Sequence, residues 1–148
     1  MPAFKFRMQS YYDLKIKLED QAKLDYSISL MKLEEARIKQ QRLEAELQGH
    51  INSFRQAVQN RIDPARFQRL GSYIELVKKH IAQQAEQVRR AEKVAEQKRF
   101  NLVEAMKQRR MLENLYNKAK ERYVLEAARA EAGIVDESIS YRLSRQRR

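Results

Sequence analysis

The side chains of this chain with chemistry to offer are its two histidines, His50 and His80, its 20 carboxylates, and the adjacent basic pairs Lys78-Lys79, Arg89-Arg90, Lys98-Arg99 and Arg109-Arg110 of the second helical pattern. Histidines grouped with carboxylates could hold a metal ion or move a proton, and paired cations could grip phosphates. The spacing supports neither. His50 and His80 stand outside any metal-ligand pattern, no glycine-rich phosphate loop occurs, and the carboxylates fall mainly on polar helix positions next to Lys or Arg. The chain therefore reads as a non-enzyme with no cofactor and no metal. At about 100° per residue the basic pairs spread around a helix instead of forming one groove-tracking stripe. No aromatic stacking platform or basic-region zipper accompanies them, so a solvated face is favoured over nucleic-acid binding.

The elements that would carry these residues are two long helical patterns separated by one break at Asn60-Arg61-Ile62-Asp63-Pro64. Only 3 Gly and 2 Pro in 148 residues, with 34% charged and 8% aromatic residues, fit a long-helix or coiled-coil composition better than a globule with a deep core. The predicted fold is all-α, a long antiparallel two-helix coiled-coil hairpin forming a single elongated domain over 1–148. Helix one is expected over about 9–58, the turn over 59–63, helix two over about 64–132, and a mobile basic tail over 133–148. Asp63 is suited to cap helix two and Pro64 to open it, because the first helical position does not use its N–H. Gly133 reads as the stop.

On helix one the expected seam joins Leu14, Leu18, Leu24, Ile28, Met31, Leu43, Leu47, Ile51, Phe54 and Val58. Its fours between Leu43 and Phe54 suggest an eleven-residue spacing with little supercoil. On helix two the seam runs through Phe67, Leu70, Ile74, Val77 and Ile81 and on through Ala85, Val88, Ala91, Ala95, Leu102, Met106, Leu112, Leu115 and Ala119. Counting outward from the turn pairs Tyr11 with Met111 and Phe4 with Lys118. Helix one is then exhausted, so the C-terminal helix overhangs.

The net charge of +11 is concentrated on the second half: ten basic and eight acidic residues precede Ile62 up to Val58, against twenty and twelve from Asp63 onward. That excess suits an acidic partner surface. The chain has no cysteine and no apolar stretch of export-signal or membrane-spanning type, which fits a soluble, cytoplasmic protein.

The opening Phe4-Lys5-Phe6-Arg7-Met8-Gln9 with Leu14-Lys15, the central Tyr73-Ile74-Glu75-Leu76-Val77 with Ile81 and Gln84, and the closing Leu112-Glu113-Asn114-Leu115, Tyr123, Glu126 and Asp136-Glu137 resemble the flagellar export protein family FliJ. The resemblance covers nearly the whole chain. It implies a cytoplasmic component of the bacterial flagellar type III export apparatus, similar in architecture to the central shaft of rotary ATPases. It further implies a monomeric stalk, peripheral to the inner face of the cell membrane at the flagellar base. Its partners would be the hexameric export ATPase, the cytoplasmic domain of the export gate membrane protein, and export chaperones.

By position, the family's gate-contacting face falls on Tyr73, Val77, His80 and Gln84, with Leu47, His50 and Phe54 on helix one. Tyr73, Val77, His80 and Gln84 form a stripe turned from the main seam and sharing Val77 with it, so part of it should stay exposed. Val77 is expected in the core and Tyr73 at the surface. The ATPase-facing set implied is Phe4, Phe6, Arg7, Met8, Tyr123, Leu125 and Glu126, although Phe6 and Met8 could equally staple the end of the hairpin. Other readings of the same pattern are a stalk of a virulence secretion system, a rotary ATPase shaft, a structural tether, and a basic coiled coil that binds nucleic acid.

Overall fold

The computed structural model describes residues 2–61 and 63–147; Ile62 of the expected turn and Arg148 of the expected tail lie outside the described residues, as does Met1. The fold is an all-α antiparallel two-helix hairpin. Helix α1 runs Gln9–Gln59 and helix α2 runs Pro64–Gln146, with no strand among the described residues. The chain divides into two compact units, one made of Met1–Asp20 with Val103–Arg148 and the other of Gln21–Leu102.

The turn is built as its residues dictate. The amide of Asn60 donates to the carbonyl of Gln56 at 3.0 Å, completing the last turn of α1, and Arg61 then adopts φ 49°, the left-handed conformation that ends many helices. Asp63 caps α2: its carboxylate accepts the Ala65 amide at 3.2 Å, and its carbonyl accepts the Phe67 amide at 3.1 Å. Pro64 takes the first helical position.

Gly133 does not end α2, which continues without a break to Gln146, so the expected mobile tail is helical within the described residues. A glycine costs only about 1 kcal/mol relative to Ala in a helix interior, and helix formers such as Ala130, Glu131, Ala132 and Glu137 surround this one. The backbone of Gly133 keeps a negative φ.

In the Gln21–Leu102 unit, the side of α1 turned to α2 carries Ala22, Tyr26, Ser29, Leu33, Ala36, Gln40, Leu43, Leu47, His50, Phe54 and Ala57, all buried or half-buried. The facing side of α2 carries Phe67, Leu70, Ile74, Val77, Ile81, Gln84, Val88, Ala91, Ala95, Lys98 and Leu102. Both stripes alternate threes and fours, which is the heptad period rather than the expected eleven-residue spacing. Near the turn the seam is aromatic and aliphatic, with the Phe54 and Phe67 rings 4.4 Å apart. Farther out, Leu33, Val88 and Ala95 form a buried cluster with Ala36 and Ala91 packed against it. The small alanines expose backbone to a neighbour: the buried Gln84 amide donates to the Ala36 carbonyl at 2.9 Å.

The first half of α1 departs from the expected seam. Leu14, Leu18, Leu24, Ile28 and Met31 are exposed, Met31 at 64% and Leu24 at 54%, and Val58 is exposed too. Buried Ser29 donates its hydroxyl to the Tyr26 carbonyl at 2.6 Å, so its polarity is satisfied within its own turn. Apolar character favoured the wrong stripe because an exposed leucine is common, whereas a satisfied polar side chain is a tolerable seam residue.

Two substitutions with opposite backbone logic test this description. Arg61→Gly should stabilise the hairpin by up to about 1 kcal/mol, since glycine adopts the left-handed region without the side-chain penalty. Gly133→Ala should raise α2 helicity by a similar free energy, because a Cβ there meets no atom within 4 Å. Urea unfolding and far-UV circular dichroism measure both, and a destabilised Arg61→Gly would contradict the turn geometry.

Candidate protein-contact surfaces

The seven residues placed by resemblance on the gate-contacting face separate into two groups. Tyr73 is 56% exposed, and His80 is exposed beside Lys39, Leu43, Gln83, Gln84 and Gln87. Val77, at 3% exposure, belongs to the core. Gln84 is also buried, which corrects its expected place on a free stripe: its amide is spent on the Ala36 carbonyl. Leu47 and Phe54 are half-buried seam residues.

His50 links the two groups. Its ring stacks on Tyr73 at 5.7 Å with 17° between planes, and its Nε2 lies 3.5 Å from the Glu46 carboxylate one turn earlier. The seam thus holds one face of the tyrosine ring while the remainder faces water. A large ring fixed at the surface offers contact area at little entropic cost to a partner. Among the described residues there is no group of at least three His, Cys, Asp or Glu that could hold a metal.

In the other unit, the residues placed on the ATPase-facing surface separate in the same way. Phe4 packs against Tyr116 and Tyr123, both at 5.5 Å between ring centroids. Phe6 packs edge-on against Tyr116 at 5.4 Å and Tyr12 at 6.3 Å, and the Tyr123 hydroxyl donates to the Pro2 carbonyl at 2.8 Å. Phe4, Phe6 and Tyr123 therefore staple the N-terminal segment onto α2. Phe4 sits between Tyr116 and Tyr123, level with the stretch around Lys118 that the count from the turn expects. Arg7, Met8, Leu125 and Glu126 remain exposed. Met8 lines a groove with Tyr11, Lys15, Gln108, Met111 and Leu115, which places Tyr11 and Met111 together as the pairing from the turn expects.

Two features here were not singled out from sequence. The aromatic cluster draws in Tyr12 and Tyr116, whose rings lie 5.8 Å apart. Glu19, 4% exposed, pairs with the Nε of Arg109, whose guanidinium also reaches Glu113. The hydrogen bond that Arg109 donates to the Glu19 carboxylate holds the guanidinium pKa above its ordinary value. Arg109 is thus a structural cation, not half of a free basic pair.

At least one member of each other basic pair is partnered along its own helix. Arg89 and Arg90 both reach Glu86, Arg99 reaches Glu96, and Lys78 reaches Glu75. The Arg89 hydrogen bond holds the Glu86 carboxyl below the usual carboxylate range, and Arg99 does the same for Glu96. These contacts place part of the positive charge in exposed i,i+3 and i,i+4 pairs on a solvated surface.

In comparison with known families, the family model described as Flagellar FliJ protein matches residues 4–148. Among curated proteins and among solved structures, none matches. The chain belongs to the FliJ family.

The buried pair makes a sharp stability test. Glu19→Ala should lower the thermal midpoint by roughly 5–10 °C by leaving a seam cation without its buried partner, whereas Glu113→Ala, whose side chain is 43% exposed against 5% for Glu19, should shift it by no more than about 2 °C. Differential scanning calorimetry distinguishes the two. Equal shifts would remove Glu19 from its assigned role.

Proposed function

We propose that this FliJ-family chain acts as a contact-driven stalk of the bacterial flagellar type III export apparatus, coupling the hexameric export ATPase to the export gate and assisting export chaperones. Membership of the family supports the export role. The coupling role rests on the arrangement of exposed residues: each compact unit leaves part of a resemblance-assigned set outside its seam, Tyr73 and His80 in one, and Arg7, Met8, Leu125 and Glu126 in the other. The first set is assigned to the cytoplasmic domain of the gate protein and the second to the ATPase.

The physical action requires no catalytic group. A single asymmetric hairpin inside a sixfold ring cannot touch all six subunits alike, so it favours one conformational state in the subunits it contacts most. The ATPase then feels the stalk as a coupling free energy between sites. The excess of positive charge on α2 complements an acidic ring interior. The working place is the cytoplasm, peripheral to the inner face of the cell membrane at the flagellar base. No helix among the described residues is long and apolar enough to cross a membrane.

Crossed binding measurements test the two assignments. An Arg7→Ala, Met8→Asp, Leu125→Asp variant should bind the purified export ATPase at least tenfold more weakly and lose stimulation of its turnover, while retaining affinity for the gate domain. A Tyr73→Ala, His80→Ala variant should do the reverse. If the wild-type chain binds the ATPase without changing its turnover, it is a tether and the coupling role is wrong.

A further inference from the structure

Past Tyr123, α2 carries an apolar stripe that α1 does not cover. Leu125, Ala128, Ala132, Val135, Ile139 and Leu143 follow one another by three or four residues, and all are exposed, the four large ones at 51–57%. At about 100° per residue they fall within one arc of roughly 80°, on the side of α2 away from the line that Tyr116 and Tyr123 present to the N-terminal segment. The stripe is a second seam of the same helix, lacking a partner.

The residues on and around it are complementary to themselves when reversed. Residues 121–137 carry Glu121, Glu126, Glu131, Asp136 and Glu137 against Arg122 and Arg129, whereas 138–147 carry Arg142, Arg145 and Arg147 with no acid. A parallel neighbour of the same sequence would set arginine on arginine. An antiparallel one sets the basic end over the acidic stretch. The sizes also alternate suitably: with Ala132 beside Val135 of a second copy, Ala128 meets Ile139, each alanine opposite a larger residue, and Leu125 comes level with Arg142, one residue from Leu143. In that register Arg129 faces Asp136, twice by symmetry, as an isologous twofold interface requires.

We propose that this stripe is a self-association surface, through which two copies of the chain pair antiparallel along their C-terminal helices. The stripe spans about five turns, roughly 27 Å. That falls below a standard interface of about 1,600 Å², so the dimer is weak, with a Kd of about 10–100 μM. Leu125 belongs both to this stripe and to the contact set proposed above. On that earlier reading, which only this consequence rests on, self-pairing and ATPase engagement exclude each other.

Sedimentation velocity on the intact chain from about 1 to 300 μM should show the 17.7 kDa monomer giving way to a species of twice that mass. Ile139→Asp should weaken association at least tenfold with the helical circular dichroism unchanged, since its side chain is exposed in the single chain. Arg129→Glu alone should weaken it, and Arg129→Glu with Asp136→Arg should restore it. Because the chain has no cysteine, direction can be read directly: a Leu125→Cys chain should cross-link to a Leu143→Cys chain, and neither to itself. A wild-type monomer at 300 μM, an Ile139→Asp variant that dimerises normally, failure of the charge swap to restore association, or cross-linking of either cysteine chain to itself would each overturn the proposal. None of these measurements involves the ATPase, so its failure to bind would leave them unaffected.

Discussion

Two helices laid side by side can bury only one stripe of each. Every other property of this chain follows from that limit. A globule would place most of its leucines and isoleucines in one core, but here the buried apolar residues are few and mostly small or medium: Leu33, Ala57, Ile74, Val77, Val88, Ala95 and Leu112. The apolar side chains left over must face water or another protein. An isolated seam of this kind is a modest source of stability, so its polar members carry weight beyond their number.

Those polar members act on register. Gln84 can donate to the Ala36 carbonyl only where a small residue leaves that carbonyl within reach, and Glu19 finds Arg109 only at one alignment of its unit. Sliding either pair by one heptad would preserve the three-four pattern but strand a buried amide or carboxylate. The desolvation penalty makes such a slip costly, while the apolar layers alone would resist it weakly. Small residues and buried polar groups therefore specify an alignment that leucines would leave degenerate, at some expense in apolar area.

The hairpin and its turn were legible because they depend on local chemistry. Asp63-Pro64 announces a capped helix start, and the phase of Phe67, Leu70, Ile74, Val77 and Ile81 was correct from sequence. The first half of helix one was not. Reading it by hydrophobicity selects Leu14, Leu18, Leu24, Ile28 and Met31, whereas stepping back from Phe54 by sevens passes Leu47, Gln40, Leu33, Tyr26, Glu19 and Tyr12, the residues that are buried or half-buried. The signal was in the period, and apolar character concealed it. Stepping forward from Phe67 by sevens likewise reaches Arg109, Tyr116 and Tyr123, so both the buried ion pair and the aromatic staple were in phase. Gly133 failed as a stop for a different reason: a glycine ends a helix when a left-handed residue is needed there, and nothing in the following residues demands one.

The same limit separates structural residues from those available to partners. A residue in the seam phase spends its side chain within the hairpin, as Val77 and Gln84 do between the helices and Tyr123 does on the N-terminal segment through Phe4 and Pro2. Tyr73 shows how the two roles meet, because stacking on seam residue His50 orients a ring that is otherwise solvated. Its rotamer freedom is already reduced before any partner arrives, so less entropy remains to be lost on binding. Leu125 has no such support and gains order only when something covers it. Contact surfaces on a two-helix scaffold therefore differ in preorganisation according to whether a seam residue braces them, and the braced ones should give the sharper specificity.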